Sequence, residues 1–328
     1  MKTKKLFLIL FMVSIAISFL YSCKCDECPE PDTQVSQYQL DKTIVQTNTT
    51  NVATGFQSVF SEMITDSTDR AVFSQTFVDA ALFYDDNSGY FFIETLDNAW
   101  CVAHINHDLI GTSRINVQDL NGKYFIQDIV ETVLYSGHGF VEYFRKNPST
   151  GAVERKLSYV TNIPAAQWFI GTGFYGDPPV QYYDKQEADK ILLRELVRTM
   201  AKGMGAIIKD IYNSDSSKAA FCRTFIDHIR FFDNGSGYFF INDFDGINIA
   251  HGADASHEGQ NDYDLQDTQG NYIIRDMIDI AKNDGSNYYR YTWNNPSSGN
   301  DEEKIVFVMR IPDTDYFIAA GFYVNDVI

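Results

Sequence analysis

The chain has 328 residues, of which 26 are lysine or arginine and 44 are aspartate or glutamate, so its formal charge at pH 7 is −18. A surface of that sign repels phosphate backbones, which argues against nucleic acid as a partner, and an anionic ligand would need a local cation. Five cysteines are too few to provide a disulfide framework for a chain of this length.

The N-terminus carries the pattern of an export signal. Three lysines precede an apolar run from Leu6 to Leu20. This run is shorter than the roughly 20 residues that span a bilayer, so a cleaved signal is favoured over an anchor helix. Cys23 ends a segment that resembles a bacterial lipobox, whose cysteine becomes acylated. We therefore predict a signal peptide at 1–22, a tether at 23–36 and a lipid-anchored protein of the bacterial cell envelope, either periplasmic or on the cell surface.

An internal repeat organises the rest of the chain. Ser88–Ile93 recurs as Ser236–Ile241, and the same offset of 148 relates Lys156 to Lys304. A repeat of about 145 residues has the usual size of one independent domain. We therefore predict two tandem domains, and the prolines at 178 and 179 mark the linker between them. Their expected bounds are 37–177 and 178–328.

Each repeat reads as helix first and sheet second. Apolar residues recur at helical spacing from about 37 to 83, with a break at Asp66-Ser67, and the second repeat has a matching break at Asn213-Ser214. Aromatic and β-branched runs separated by turn residues follow. In the first repeat they predict strands at 90–96, 100–103, 140–145, 156–163 and 168–174, with a short helix at about 123–135. The fold class is therefore α+β.

Six segments in this order resemble the Cache superfamily, in particular the single-Cache type 2 module of bacterial chemoreceptors and sensor kinases. They are Gly89–Ile93, Val102–His104, Asn121–Tyr124, Gly139–Tyr143, Lys156–Val160 and Trp168–Tyr175. The resemblance implies two tandem PAS-like domains, each a long N-terminal helix packed on an antiparallel sheet of about five strands with an inserted short helix. It also implies a pocket for a small metabolite, often a short carboxylate.

The resemblance nominates ligand-binding residues in both repeats. They are His104, Tyr143, Lys156 and Tyr159 in the first, and His251, Tyr291, Trp293 and Lys304 in the second. A lysine on an apolar sheet must find an anion or keep its charged end in water, and a bound carboxylate is a suitable partner. The alternative is that Lys156 lies at a strand end and extends into solvent.

Strand alternation limits this set. In a regular strand Lys156 shares a face with Ser158 and Val160, whereas Tyr159 points to the opposite face. Unless a bulge intervenes, Lys156 and Tyr159 cannot line the same pocket. Phe307 stands where the second repeat would have the equivalent of Tyr159, so either this tyrosine is structural or the two sites differ in specificity.

Motifs for catalysis or metal binding are not found in the sequence, so we expect no enzyme, metal or cofactor. The acidic run at 262–267 lacks the glycine and glutamate of a calcium loop and is interpreted as a solvated loop. The expected function is that of an extracytoplasmic binding lipoprotein that senses a small polar metabolite and signals to a membrane receptor or kinase. The alternative is a structural or adhesive surface lipoprotein whose repeats have lost ligand binding.

Overall fold

The structure is a computed structural model that describes residues 34–295 and 298–324. The predicted signal peptide, most of the tether and Cys23, the predicted lipidation site, lie outside the described residues. Within the described ranges, no helix is both long enough and apolar enough to cross a bilayer.

Helices precede strands in both halves of the chain, as the sequence predicts. The first half comprises β1 (Gln34–Ser36), α1 (Gln37–Glu62), α2 (Ser67–Ala80), β2 (Phe91–Thr95), β3 (Cys101–His104), α3 (Phe125–Ser136), β4 (His138–Lys146), β5 (Val153–Ile163) and β6 (Trp168–Tyr175). The second half comprises β7 (Tyr182–Asp184), α4 (Lys185–Asp210), α5 (Asp215–Ile226), β8 (Phe239–Asp243), β9 (Asn248–His251), α6 (Ile273–Asp279), β10 (Ser286–Asn294), β11 (Asp301–Arg310) and β12 (Tyr316–Tyr323).

The predicted helix breaks are helix starts. The Asp66 carboxylate accepts hydrogen bonds from the N–H groups of Thr68 and Asp69, and the Ser214 hydroxyl accepts one from the N–H of Ser217. Both side chains thus satisfy backbone donors that the first turn of a helix leaves without a partner. Local sequence therefore ends one helix and begins the next in each half.

Each half contains a five-stranded antiparallel sheet, and the strand order is the same in both. The orders are β3-β2-β6-β5-β4 and β9-β8-β12-β11-β10. The long helices α1 and α4 cover one face of their sheets, while α3 and α6 contribute to the apolar layer on the other face. The predicted fold class, a long helix on an antiparallel sheet of five strands with an inserted short helix, is confirmed.

One apolar core runs through both halves between the two sheets. At its centre Phe77 stacks on Phe225 with ring centroids 5.7 Å apart. Gly55 lies against the Phe225 ring, and Gly203 lies against the Phe77 ring. Phe77 and Phe225 are 148 residues apart, and so are Gly55 and Gly203, which means that each half offers the same patch to the other. Such isologous packing is typical of a two-fold symmetric dimer.

This shared core gives a first prediction. Gly55→Ala and Gly203→Ala should each lower the free energy of unfolding by about 1–3 kcal/mol, because the new methyl overlaps a buried phenylalanine ring. Urea denaturation measures the change. Thr54→Ala is the matched control on α1 and should stay within about 0.5 kcal/mol of the parent. If either glycine tolerates alanine as Thr54 does, the close packing of the halves is not as described.

Candidate ligand-binding chamber

The ammonium group of Lys156 lies inside the protein. Its side chain projects from β5 into the layer on the side of the sheet opposite α1, and its exposed fraction is 0%. Tyr143 on β4 and Tyr175 on β6 are its direct cross-strand neighbours. Nζ forms no well-aligned hydrogen bond with any described residue, although the Tyr90 hydroxyl lies near enough to interact with it. The alternative in which Lys156 extends into solvent is therefore wrong.

Aromatic rings surround this charge. Lys156 Nζ lies 3.9 Å from the ring centroid of Tyr90, 4.8 Å from that of Tyr175 and 5.7 Å from that of Phe92. Burial lowers the pKa of Lys156. Burial alone would raise the pKa of Tyr90, but the Lys156 charge, hydrogen-bonding interactions with Tyr175 and Lys156, and the Arg145 charge together outweigh it, so the pKa of this hydroxyl is lowered. Cation–π contact contributes on the order of 2 kcal/mol, less than the several kcal/mol that burying an ion costs.

Hydroxyl groups and one imidazole complete the cluster of side chains around Lys156, which we call the chamber. The Tyr90 and Tyr175 hydroxyls are 3.0 Å apart, and the Tyr143 hydroxyl is 2.9 Å from Ser158 Oγ. His104 Nδ1 accepts the N–H of Asn106 at 2.8 Å, so the neutral ring carries its proton on Nε2. Burial, and then the charge of nearby cations, lowers the pKa of His104 to about 2. The chamber therefore offers a cation and several neutral donors.

Tyr159 does not belong to this chamber. It lies on the α1 side of the sheet, within the shared core, with its ring centroid 4.9 Å from that of Phe140. Lys156 lies three residues before Tyr159 on the same strand, so its side chain points to the opposite face of the sheet, as that of Val160 does. Strand alternation thus holds without a bulge, and the structure brings together only His104, Tyr143 and Lys156 of the four residues nominated in the first half.

The second half brings its nominated residues together around Lys304. This lysine is 1% exposed and pairs across the strands with Tyr291, whose ring lies 6.1 Å from that of Trp293. His251 Nδ1 accepts the N–H of Asp254 at 2.9 Å, and burial lowers the pKa of His251 to about 4.

The two lysines differ in one respect. Lys304 Nζ donates a hydrogen bond to the Tyr238 hydroxyl at 2.8 Å, whereas Lys156 approaches the equivalent Tyr90 hydroxyl without a well-aligned hydrogen bond. Two substitutions also make the second chamber smaller and less polar. Val306 stands where the first half has Ser158, and Ala319 stands where it has Gly171.

A buried ion pair beside the first chamber was missed from the sequence. Arg114 Nη1, from the loop that follows β3, contacts Glu94 Oε1 on β2, and both side chains are at least 95% buried. Burial raises the pKa of Glu94 to about 7, although the Arg114 charge opposes this change. The only sequence signal was Glu94 itself, a carboxylate at an inward position of an apolar strand.

The interpretation of the acidic run at 262–267 needs correction at its last residue. Asp267 is 7% exposed, and its carboxylate accepts the backbone N–H groups of Gln269, Asn271 and Thr292. Asp119 occupies the same place in the first half and accepts the N–H groups of Asn121 and Lys123. Asp267 is therefore buried, whereas Tyr263, Asp264 and Gln266 are exposed, as expected for a solvated loop.

Comparison with protein-family models identifies both halves. Residues 42–178 match the family described as Single Cache domain 2, and residues 179–328 match the family described as Cache domain. The chain belongs to the Cache superfamily, whose domains occur in sensor histidine kinases and chemoreceptors. The expected resemblance is confirmed, while the domain bounds inferred from the repeat stay a prediction.

Individual relatives are similar over part of the chain. The sensor histidine kinase MctS of Rhizobium johnstonii is 36% identical over 91 residues, which are 28% of this chain and 20% of that protein. A methyl-accepting chemotaxis protein structure from Vibrio parahaemolyticus is 29% identical, with a TM-score of 0.36, and the match covers 44% of this chain and 96% of that one. The DctB sensor domain of V. cholerae is 12% identical, with a TM-score of 0.24 and coverage of 88% and 95%.

The buried ion pair generates a second prediction. Arg114→Met leaves the Glu94 carboxylate buried without a counterion, so the free energy of unfolding at pH 8 should fall by about 3–5 kcal/mol. The loss should shrink at pH 5, where the carboxyl group can bind a proton because its pKa is raised to about 7. Glu94→Gln/Arg114→Met should recover part of the stability. An equal loss at both pH values would contradict the described pair.

Proposed function

We propose that the first half binds a small carboxylate, with the Lys156 ammonium as its ion-pair partner. The observation that carries this proposal is a fully buried ammonium group that pairs with no carboxylate among the described residues and makes no well-aligned hydrogen bond. Aromatic faces offset only part of the cost of removing this charge from water. A carboxylate in the chamber would supply both the missing charge and a well-aligned acceptor.

The remaining polar groups suit the same ligand. Ionised carboxylates only accept hydrogen bonds, and the Tyr143 hydroxyl and the Nε2–H of His104 can donate them. The Tyr90 and Tyr175 protons are used within the protein, Tyr175 donating to the Lys146 carbonyl. The surrounding rings of Phe92 and Phe125 exclude water and favour a short aliphatic or keto acid over a large polar one. Membership of the Cache superfamily supports a sensory role for such a site.

For the second half we propose a different or weaker specificity. Lys304 has an acceptor in Tyr238, and Val306 has no hydroxyl with which to hold a ligand. A site that uses a hydroxyl discriminates strongly between ligands that do and do not pair with it. Lipid anchoring through Cys23, export to the cell envelope, and signalling through a membrane receptor or kinase complete the proposal; as in related domains, the role is binding and not catalysis.

Ligand binding can be tested by thermal shift. A short carboxylate such as acetate, propionate or pyruvate at about 100 times its Kd should stabilise the full chain by about 2.7 kcal/mol. Lys156→Met should abolish this shift, because the ion-pair partner is lost, without unfolding the protein. Lys304→Met is the matched control and should preserve it. A carboxylate shift that survives in Lys156→Met, or the absence of any shift across the panel, would reject the proposed site.

The pH dependence of binding provides an independent test. The pKa of Lys156 lies below its usual value of 10.5 because of burial, so its charge is lost at a lower pH than that of an exposed lysine. Carboxylate affinity should therefore be greatest below this lowered pKa and should fall as the pH rises through it. Calorimetric titration across the alkaline range measures the fall. Constant affinity up to the pH at which ordinary lysines titrate would contradict the assignment.

A further inference from the structure

A cavity lies where the two halves meet, away from the side chains around Lys156. Its volume is about 620 Å³, and α1, α4 and the loop at 230–236 form its walls. We call it the inter-half cleft. Its polar lining includes Thr47, Thr50, Asn51, Asp189 and Asp233. Two cations also line it: Lys185 pairs with Asp189, and Arg230 donates to the backbone carbonyls of Asp227 and Ile229.

The internal repeat shows what fills the equivalent place on the opposite side of the molecule. Thr47 and Thr50 of α1 correspond, at the offset of 148, to Glu195 and Arg198 of α4. Glu195 Oε2 accepts the backbone N–H of Tyr84 at 2.9 Å, and Arg198 Nη1 lies 3.0 Å from Asp85 Oδ1. A carboxylate and a cation of the protein itself therefore occupy that position.

The cleft retains the receiving groups and lacks the side chains that would pair with them. Phe232 and Asp233 correspond to Tyr84 and Asp85, and Phe232 has nearly the same backbone φ as Tyr84, 61° against 60°. Among the described residues, no acceptor meets the Phe232 N–H and no cation pairs with the Asp233 carboxylate. Asn51 is 1% exposed, and its Nδ2 also has no partner in the part of the chain that the structure describes.

We infer that the inter-half cleft is a second binding site, for a small zwitterion of the α-amino acid class. The ligand carboxylate takes the place of Glu195 and accepts the Phe232 N–H, while its ammonium takes the place of Arg198 and pairs with Asp233. On the occupied side Arg198 Nη1 and Glu195 Oε2 are only 3.4 Å apart. The ligand must therefore carry its two charges next to each other, as an α-amino acid does. Asn51 provides a further donor for the carboxylate.

The test uses the full chain carrying Lys156→Met, so that the first-half chamber cannot contribute. Calorimetric titration with the standard L-α-amino acids should find at least one that binds, whereas acetate and methylamine, which carry one charge each, should bind at least tenfold more weakly. Thr47→Glu/Thr50→Arg places the side chains of the occupied side in the cleft and should abolish binding. Asp233→Asn, at an exposed position, should weaken it at least tenfold without affecting the fold.

The possible outcomes separate this site from the proposed carboxylate chamber. With Lys156 restored, Thr47→Glu/Thr50→Arg should keep its response to short carboxylates, which also shows that the variant folds. The inference fails if no amino acid binds the Lys156→Met chain, if Asp233→Asn binds amino acids as tightly as its parent, or if acetate alone binds equally well. None of these results would affect the assignment of Lys156.

Discussion

A lysine charge buried among aromatic rings is the constraint on which the first half depends. Taking an ammonium group out of water costs several kcal/mol unless an anion and hydrogen-bond acceptors replace the water. Lys156 has tyrosine and phenylalanine faces around it but pairs with no carboxylate among the described residues and makes no well-aligned hydrogen bond. The fold keeps this charge in place because Lys156 lies on β5, which is hydrogen-bonded to β4 on one side and β6 on the other. The unbalanced charge is therefore a reason for the chamber to bind an anion.

Duplication gave two halves with the same topology and different sites. The helices of the two halves pack against each other through equivalent residues, so the halves share a single core around Phe77 and Phe225. Away from this centre the symmetry is broken. Lys304 has a well-aligned hydrogen bond to a hydroxyl that Lys156 lacks. Glu195 and Arg198 of α4 occupy a position that is open in the equivalent place beside α1. Identical scaffolds thus present different chemistry in their two chambers and on their two flanks.

Local and periodic features could be read from the sequence. Asp66 and Ser214 end and begin helices through short-range hydrogen bonds, and period-two alternation correctly separated Lys156 from Tyr159. Whether Lys156 reached solvent could not be decided, because that depends on how the loop after β3 and helix α3 cover the sheet. The pairing of Glu94 with Arg114 was missed for a similar reason, since Arg114 lies in that loop. The inter-half cleft could not be predicted either, because it is formed by packing between the two halves and local sequence patterns carry no information about such packing.

The most direct test of the account is a crystal structure of the full chain grown with a short carboxylate such as propionate. We expect the carboxylate oxygens within hydrogen-bonding distance of Lys156 Nζ, with the Phe92 and Phe125 rings around the aliphatic end. A structure at saturating propionate in which Lys156 still meets only aromatic rings, or in which the carboxylate binds elsewhere, would contradict it.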